Sequence, residues 1–472
     1  MENTKLVALL KTFDTKQWTE FDEYIRSPFF NKNQDLVDLF RLLRSYAPRF
    51  HPKKIERKKL FRELNGAIAY DEKKMNHQSS LLLKQLEDYI GYKWMQGQPG
   101  LSQYYAMEAC FERNLSKHYR FLASRFSKHW KGEEKKGAFY HHQQQLVADL
   151  ANRSFLKQRS RKYDAHLQIA SDELDAYYLI KKLKYSCEML DRGQAMAVNY
   201  QWPLMPEIFQ FLRGKDYPDT PLIPIYCHIY AMLTQEDNDR HFQTLKELIR
   251  RYIEQLDTSE VQLIYLFAIN FSIRKLRAGN TLYTSECLDL YLESINKKLV
   301  YVDGHLSPWT FKNVIKLGLK LGRINWTEQF IVKHAPELSE VFRDNAFHYN
   351  LADLYFWKQS FSKAQQHLQE VSFTDIHYAL DSKVLFLKIF YEKKDWEVLL
   401  SQAAAFRMYL KRNQVITKQV RQPYENFIRV LLKLVKQKKS IAAKAQVQLQ
   451  EMPYVFDREW LMSKLQEQLI RS

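Results

Sequence analysis

Glycine and proline are scarce in this chain. Its 472 residues include 12 glycines and 13 prolines, well below the averages of roughly 7% and 5% for proteins. A sheet-rich protein needs both residue types at its turns. Their scarcity excludes a β-rich fold and predicts an all-α protein.

Cysteine is also rare, and no two cysteines lie close in the sequence. Cys110, Cys187, Cys227 and Cys287 are separated from one another by at least 40 residues. The absence of a Cys-x-x-Cys pair excludes zinc ribbons and thioredoxin-type redox motifs. We expect buried free thiols in a reducing compartment, with structural disulfides as the alternative.

Long hydrophobic runs are missing as well. The longest mainly apolar run covers residues 261–273 and is interrupted by Gln262, Asn270 and Ser272, whereas a membrane-spanning helix needs about 20 residues. The apolar stretch of residues 6–10 is too short for a signal peptide. These absences predict a cytoplasmic protein without a membrane span.

The sequence lacks the common catalytic motifs. It contains no glycine-rich phosphate loop of the G-x-G-x-x-G or the G-x-x-x-x-G-K-[ST] type. It also contains no G-x-S-x-G nucleophile elbow and no His-Glu-x-x-His. Adjacent residues of a helix point about 100° apart, so we interpret His141-His142 as an exposed polar patch and not as a metal site. We predict no catalytic residue, metal, cofactor or small-molecule substrate, and hence no enzyme, although catalysis by residues distant in sequence stays open.

What the sequence does contain is a recurrence at helical-repeat spacing. Trp326, Phe361 and Trp396 lie 35 residues apart, and each follows a short polar break in a helical pattern. A fixed period in this range is typical of stacked helical hairpins, because no single hairpin buries its apolar face alone.

The middle unit of this recurrence resembles a tetratricopeptide repeat. Ala352, Tyr355 and Ala364 fit the small, aromatic and small positions of that family, with Phe361 and Leu368 in the accompanying large positions. The resemblance covers roughly residues 308–410. It implies antiparallel helical hairpins stacked into a right-handed α-solenoid, and a concave groove that binds peptides or partner proteins.

The neighbouring units match this family less closely. Lys320 and Gln329 stand at the aromatic and small positions of the unit around Trp326. Phe390 and Leu399 stand there in the unit around Trp396. The segment 27–33 and the overall organisation are also similar to a group of bacterial helical proteins with no assigned activity, and this second resemblance implies none.

Breaks in the helical patterns divide the chain into three regions. We predict an N-terminal helical bundle in residues 1–96, irregular helical hairpins in 101–300 and tetratricopeptide-like repeats in 301–472. Gly97 to Gly100 mark the first boundary, and Ser307-Pro308 opens the repeats.

The net charge of +18 is concentrated in two segments. Residues 113–162 carry 13 Lys and Arg against three acids, and residues 407–444 carry 11 against one. Phe121 falls among the basic residues of the first segment. Arg429, Lys433, Lys436 and Lys439 have the spacing of one helical face in the second segment.

These segments are either solvated helical faces or a footprint for an anionic partner. The candidate contact residues are Lys117, Arg120, Lys128, Lys131, Arg153, Lys157, Arg159, Arg161, Lys162, Arg429, Lys433, Lys436, Lys438 and Lys439. Neither segment carries a known nucleic-acid-binding motif. We therefore predict a non-enzymatic scaffold for protein–protein interaction, and the alternative is a helical repeat protein that binds nucleic acid or an acidic protein.

Overall fold

The structure is a computed structural model of residues 1–472. It describes all of them except residues 99, 130–136, 158–161, 197, 216, 218, 236, 373–375, 414–415, 453 and 472. The side chains of residues 129, 194–196, 377, 419 and 471 also lie outside the description.

The predicted all-α class is confirmed. In the described part of the chain, 76% of residues are helical, in 23 α-helices. The strands found there, β1 (Tyr301–Val302) and β2 (His305–Leu306), pair antiparallel with Tyr301 opposite Leu306. None of the described helices is long and apolar enough to cross a membrane.

The described residues form two compact units, Met1–Lys182 and Leu183–Ser472. The boundary between these units falls inside one helix, Ala165–Met196. The division predicted near residues 96–101 and 300–301 stays a prediction.

The first unit begins with helices that share one apolar core. Asp14 accepts a hydrogen bond from the Gln17 backbone at 2.7 Å, and Gln17 accepts one from the Asp14 backbone at 2.9 Å, so a capping box starts the second helix. Phe21 of that helix packs against Phe40, with ring centroids 4.8 Å apart. The helices of this unit are α1 (Lys5–Leu10), α2 (Thr15–Arg26), α3 (Gln34–Arg44), α4 (Arg57–Asn65), α5 (Glu72–Gly97), α6 (Leu101–Glu112), α7 (Ser116–His129), α8 (Ala138–Lys157) and the first part of α9 (Ala165–Met196).

The second unit continues as paired helices joined by short turns. Its helices are the rest of α9, α10 (Met205–Leu212), α11 (Leu222–Thr234), α12 (Arg240–Tyr252), α13 (Thr258–Arg277), α14 (Tyr283–Asn296), α15 (Pro308–Lys320), α16 (Ile324–His334), α17 (Glu340–Trp357), α18 (Phe361–Gln369), α19 (Ile376–Glu392), α20 (Trp396–Arg412), α21 (Lys418–Leu434), α22 (Lys439–Glu451) and α23 (Arg458–Arg471). Helices α15 and α16, α17 and α18, α19 and α20, and α21 and α22 pack in pairs. Helix α17 also contacts both α15 and α19.

The turns of three consecutive pairs have the same geometry. Gly322, Gln359 and Lys394 adopt left-handed φ angles of 70°, 56° and 60°. In each turn, the backbone N–H of the residue after the left-handed one donates a hydrogen bond to the carbonyl five residues before it, at 2.9 Å. This is the Schellman arrangement, which satisfies helix-terminal carbonyls and reverses the chain.

The register of the first pair differs from the prediction. The left-handed residues lie 37 and then 35 residues apart (322 to 359, and 359 to 394), because α16 and α17 are together longer than α18 and α19. Ile324, not Trp326, is therefore the equivalent of Phe361 and Trp396. Trp326 and Phe361 are as far apart in the sequence as Phe361 and Trp396, but Trp326 does not occupy the equivalent position in its pair.

The same shift changes the equivalent packing positions. Counted from the turns, Gly318 and Thr327 correspond to Tyr355 and Ala364, so the expectation of Lys320 and Gln329 at these positions is wrong. A Cβ atom on Gly318 would meet the Thr327 hydroxyl at 2.5 Å. The two helices of this pair therefore approach closely because residue 318 has no side chain.

Candidate functional site

Helix α7 presents the first group of predicted basic residues to solvent. Lys117, Arg120 and Lys128 are exposed, while Tyr119 and Phe126 of the same helix are buried. Phe121 is 63% exposed beside these cations. Lys131, Arg159 and Arg161 lie outside the described residues.

Arg153 already has acidic partners in the first unit. Its guanidinium lies 3.0 Å from Glu108, 3.8 Å from Glu112 and 3.4 Å from Asp149. The hydrogen bond to Glu108 is the main reason that the pKa of Arg153 is raised. Arg153 thus links α6 to α8 through charge pairs within the protein.

Lys157 and Lys162 complete the described part of this segment. The Lys157 ammonium lies 3.8 Å from the centroid of the Phe111 ring and donates to the Asn114 side chain at 3.3 Å. Lys162 is exposed. Of the predicted contact residues in the first segment, Lys117, Arg120 and Lys128 therefore lie together on one exposed helix, which also carries exposed Arg125.

The second group of basic residues does not follow one helix. Helix α21 ends at Leu434, and Gln437 takes a left-handed φ of 50°. This turn puts exposed Lys436 and Lys438 between two helices and makes Lys439 the first residue of α22. The predicted helical face is wrong for Lys436 and Lys439 because the left-handed turn ends the helix.

The two remaining members of the second group lie on α21. Arg429 is exposed, whereas Lys433 is half-buried and donates a hydrogen bond to Gln448. The group therefore divides between α21, the following turn and the start of α22.

The histidine pair at 141 and 142 is not an exposed polar patch. His141 is only 5% exposed, and its Nδ1 lies 2.7 Å from the Glu173 carboxylate. His142 stacks on Tyr177 at 4.8 Å. The prediction was wrong for His141 because α9 packs over α8 at this point and supplies a carboxylate partner.

The second unit contains a buried group of opposite charges that the sequence analysis missed. We call it the charged cluster, and it connects α15, α17, α19 and the residue before α23. Its members are Lys312, Lys316, Asp353, Asp381, Lys388 and Asp457. Three lysines thus offset three aspartates.

At one end of the charged cluster, Lys312 pairs with Asp381. Their side chains are only 9% and 5% exposed, and Tyr424 donates a hydrogen bond to Asp381 at 2.7 Å. Burial would raise the pKa of Asp381, but the charges of Lys312 and Lys316 outweigh it and hold the pKa below its usual value. Burial lowers the pKa of Lys312, although the negative charge of Asp381 acts in the opposite direction.

Aromatic rings surround the ammonium group of Lys312. The Lys312 Nζ lies 4.9 Å from the Tyr349 centroid and 5.3 Å from that of Tyr378. The Tyr378 ring in turn stacks on Trp309 at 6.0 Å. These rings provide a cation–π environment that stabilises a charge held away from water.

Asp353 occupies the middle of the charged cluster. It is 7% exposed, and burial raises the pKa of its carboxyl even though Lys388, Lys316 and Lys312 act in the opposite direction. The nearby Asp457 adds to the increase. The cluster therefore holds one carboxyl whose charged form the fold disfavours.

At the other end, Lys388 binds Asp457. The Lys388 Nζ lies 2.6 Å from the Asp457 carboxylate, 4.5 Å from the Phe356 centroid and 5.4 Å from the Trp460 centroid. Burial would raise the pKa of Asp457, but Lys388 and Lys316 lower it. The site thus holds a carboxylate with a lysine and adjacent aromatic rings.

An open groove continues from this end of the charged cluster. It has a volume of about 980 Å³ and lies between α17, α19 and α23. Aromatic and charged side chains line it together, among them Trp357, Lys388, Tyr391, Trp396 and Lys464. Trp357 is 48% exposed. This mixture is suited to binding an amphipathic segment of protein.

The charged cluster combines lysine and aspartate side chains. No group of three or more metal-binding side chains occurs among the described residues. The lysines and aspartates neutralise one another, and Lys388 shows how a carboxylate is held at the edge of the groove.

The signal that could have revealed the charged cluster is a charge within an apolar stretch. Lys312 lies between Phe311 and Val314, Asp353 lies between Ala352 and Leu354, and Asp381 follows Leu380. A charged residue on the apolar side of a helix needs a partner when it is buried.

No protein family, no curated protein and no solved structure was found to match this chain.

Proposed function

We propose that this chain is a non-enzymatic helical-repeat scaffold that binds a protein partner. In this proposal, the hairpins from α15 onward form a tetratricopeptide-like, right-handed α-solenoid. Its binding face is formed by α17 and α19, and the protein acts in the cytoplasm.

The open groove is the observation that carries this proposal. It lies on successive first helices of the paired units and exposes Trp357 beside charged side chains. Aromatic residues at the centre of a concave, partly polar surface are typical of protein interfaces. The repeated turn geometry at Gly322, Gln359 and Lys394 supports a repeat architecture for the surrounding helices.

The proposal is tested by photo-cross-linking from two positions in living cells. A photoreactive amino acid replaces Trp357 in the groove or Leu400 on α20, which is exposed to a similar degree, 47%, but does not line the groove. We expect a discrete cross-linked protein from position 357 and not from position 400. Equal products from both positions, or none from position 357, would refute the proposed binding face.

A nucleic-acid-binding function is the second candidate, and α7 is the observation that favours it. Exposed Lys117, Arg120 and Lys128 surround the exposed ring of Phe121. Cations that contact phosphates together with an aromatic ring that stacks on bases form a common surface for single-stranded nucleic acid. Its test is the salt dependence of binding, described in the Discussion.

A further inference from the structure

We propose that α23 occupies the face to which the protein partner binds, and that the partner is an amphipathic helix that replaces α23. This inference rests on the proposed scaffold function and specifies the chemistry of the partner. The partner helix begins at an acidic residue and carries an aromatic residue three positions later, as α23 does with Asp457 and Trp460.

The first observation is that α23 reaches helices beyond its neighbours. It packs on α21 and α22, as a following helix is expected to do. In addition, the Lys464 ammonium lies 2.9 Å from Glu392 of α19, and the Trp460 indole donates to the same carboxylate at 3.2 Å. Helix α23 therefore contacts the C-terminal end of α19, one pair before α21.

The second observation extends this contact to α15. The Lys320 ammonium of α15 lies 2.7 Å from Glu459 of α23. Lys316 of α15 lies 5.5 Å from the ring of Phe456, just before α23. Helix α23 therefore contacts α15, α19 and α21, which belong to three different pairs, and covers the surface that we assign to the partner.

The third observation is the kind of contact that holds α23 on this face. Towards α15 and α19 the contacts are ion pairs, hydrogen bonds and ring contacts of Asp457, Glu459, Trp460 and Lys464. Towards α21 and α22, Leu461 and Leu465 are fully buried. Residues 460, 461, 464 and 465 lie on one side of α23, and Asp457 directly precedes the helix, so one amphipathic helix and the residue before it supply both kinds of contact.

These contacts define what a replacing helix must present. A carboxylate must reach Lys388 and Lys316, an aromatic ring must lie beside Tyr391, and apolar residues must cover the core of α21 and α22. A basic residue seven positions after the carboxylate meets Glu392. The partner is thus recognised by charge complementarity and by one aromatic residue.

Competition between α23 and a free helix tests this inference. Six residues of sequence separate the end of α22 from the start of α23, so the attached helix acts at a high effective concentration, in roughly the millimolar range. The probe is a fluorescein-labelled peptide of residues 454–471, and its anisotropy is measured with the 472-residue chain. Wild-type protein is compared with Asp457→Asn/Trp460→Ala, in which the attached helix has lost two of its contacts.

We expect the peptide to bind the double variant at least tenfold more tightly than the wild type. Adding Lys388→Gln to the double variant should weaken binding at least tenfold, because the peptide carboxylate loses its lysine. Adding Lys393→Gln, just beyond the end of α19 and outside the groove lining, is the matched control and should leave binding unchanged. Equal affinity of wild type and double variant, or equal effects of Lys388→Gln and Lys393→Gln, would overturn the inference.

Two further readouts keep the test decisive. Hydrogen exchange of the wild-type chain needs no variant, and we expect the amides of α23 to exchange faster than those of α19 and α21. Exchange of all three helices at one common rate would overturn the inference. Dimerisation of the double variant that depends on concentration would assign the face to a second copy and would also overturn it.

The peptide experiment can fail without failure of the photo-cross-linking experiment that tests the proposed function. The peptide experiment uses no natural partner, whereas the photo-cross-linking experiment uses no peptide. A chain that captures a protein from position 357 but never binds the peptide would remain a scaffold without the role assigned to α23.

Discussion

Lys312 and Asp381 are 69 residues apart in the sequence and form an ion pair that is almost completely removed from solvent. The pair joins α15 directly to α19, although α17 lies between them in the chain. Tyr424 of α21 adds a hydrogen bond to the same aspartate. One buried charge pair thus connects three of the paired units.

Removing one partner of this pair should be strongly destabilising. We expect Lys312→Met to lower the free energy of unfolding by about 3–5 kcal/mol, because Asp381 is left buried and unpaired. The double variant Lys312→Met/Asp381→Leu should recover most of that loss. Urea unfolding of the single and double variants gives the coupling free energy.

An exposed ion pair provides the matched control for this prediction. Lys297 and Glu254 lie 3.4 Å apart with side chains 39% and 88% exposed, and Lys297→Met should change stability by less than about 1 kcal/mol. Equal effects of Lys312→Met and Lys297→Met would show that the buried pair does not hold the units together.

Asp353 should make stability fall as the pH rises. Its pKa is raised in the folded state, so the folded protein binds a proton more readily than the unfolded chain. The folded state is therefore penalised once the pH exceeds the pKa of the unfolded carboxyl, about 3.9. Asp353→Asn should be more stable than the wild type at neutral pH, and the difference should shrink as the pH is lowered.

Asp381→Asn is the control, because its effect on stability should be opposite to that of Asp353→Asn. The folded-state pKa of Asp381 is lowered, so its stabilising contribution is present above the unfolded pKa and disappears as the pH falls. This variant should be less stable than the wild type at neutral pH, with a cost that decreases in acid. Urea unfolding between about pH 2 and pH 8 checks both, because the Asp381 contribution is lost only below the unfolded pKa, and equal pH dependence of the two variants would contradict the assignment.

The close approach of α15 and α16 makes residue 318 intolerant of a side chain. Gly318→Ala should cost about 1–3 kcal/mol of stability, because the new methyl group meets Thr327 and the Trp326 ring. Gly91→Ala in α5, where nothing lies within 4 Å of the added methyl group, should instead stabilise by roughly 0.5–1 kcal/mol. Thermal and urea unfolding compare the two, and a stabilising Gly318→Ala would contradict the packing.

Local signals in the sequence predicted the helical elements well. Asp14 is a common helix-capping residue type and caps α2, and Pro308 stands at the first position of α15, where its missing N–H costs nothing. The breaks before Phe361 and Trp396 are hairpin turns because Gln359 and Lys394 end the preceding helices. Such features depend on residues close together in the sequence.

Features that depend on distant residues were not predictable in the same way. Lys312, Asp353, Asp381 and Asp457 come from four separate parts of the chain, and only the packing of α15, α17 and α19 brings them together. The equivalence of Gly318 and Tyr355 was missed because the stretch from Gly322 to Gln359 is two residues longer than that from Gln359 to Lys394, which shifts the register. The end of α21 was missed because Gln437 adopts a left-handed conformation that glycine usually provides.

The nucleic-acid alternative predicts a specific salt dependence. If α7 binds phosphates, Lys117→Gln/Arg120→Gln/Lys128→Gln should reduce the slope of log affinity against log salt by up to about 0.7 for each lost contact with a single strand. The matched control is Lys53→Gln/Lys54→Gln/Lys58→Gln, which removes three exposed charges outside both basic segments. Fluorescence anisotropy with a labelled single-stranded RNA measures the slopes.

Two results of this experiment would contradict the alternative. One is the absence of binding even at low salt. The other is an equal change of slope in both triple variants, which would show only the effect of net charge. A corresponding triple, Lys436→Gln/Lys438→Gln/Lys439→Gln, tests the second basic segment in the same way.

The most direct test of the scaffold account is a hydrogen-exchange footprint of the complex with the protein that is captured from position 357. Exchange of the free chain and of the complex is compared helix by helix. The account predicts added protection of the groove-lining parts of α17 and α19, none on the part of α20 around Leu400, and faster exchange of α23 as the partner replaces it. Protection confined to α7 or to residues 436–439, with α17 and α19 unchanged, would contradict it.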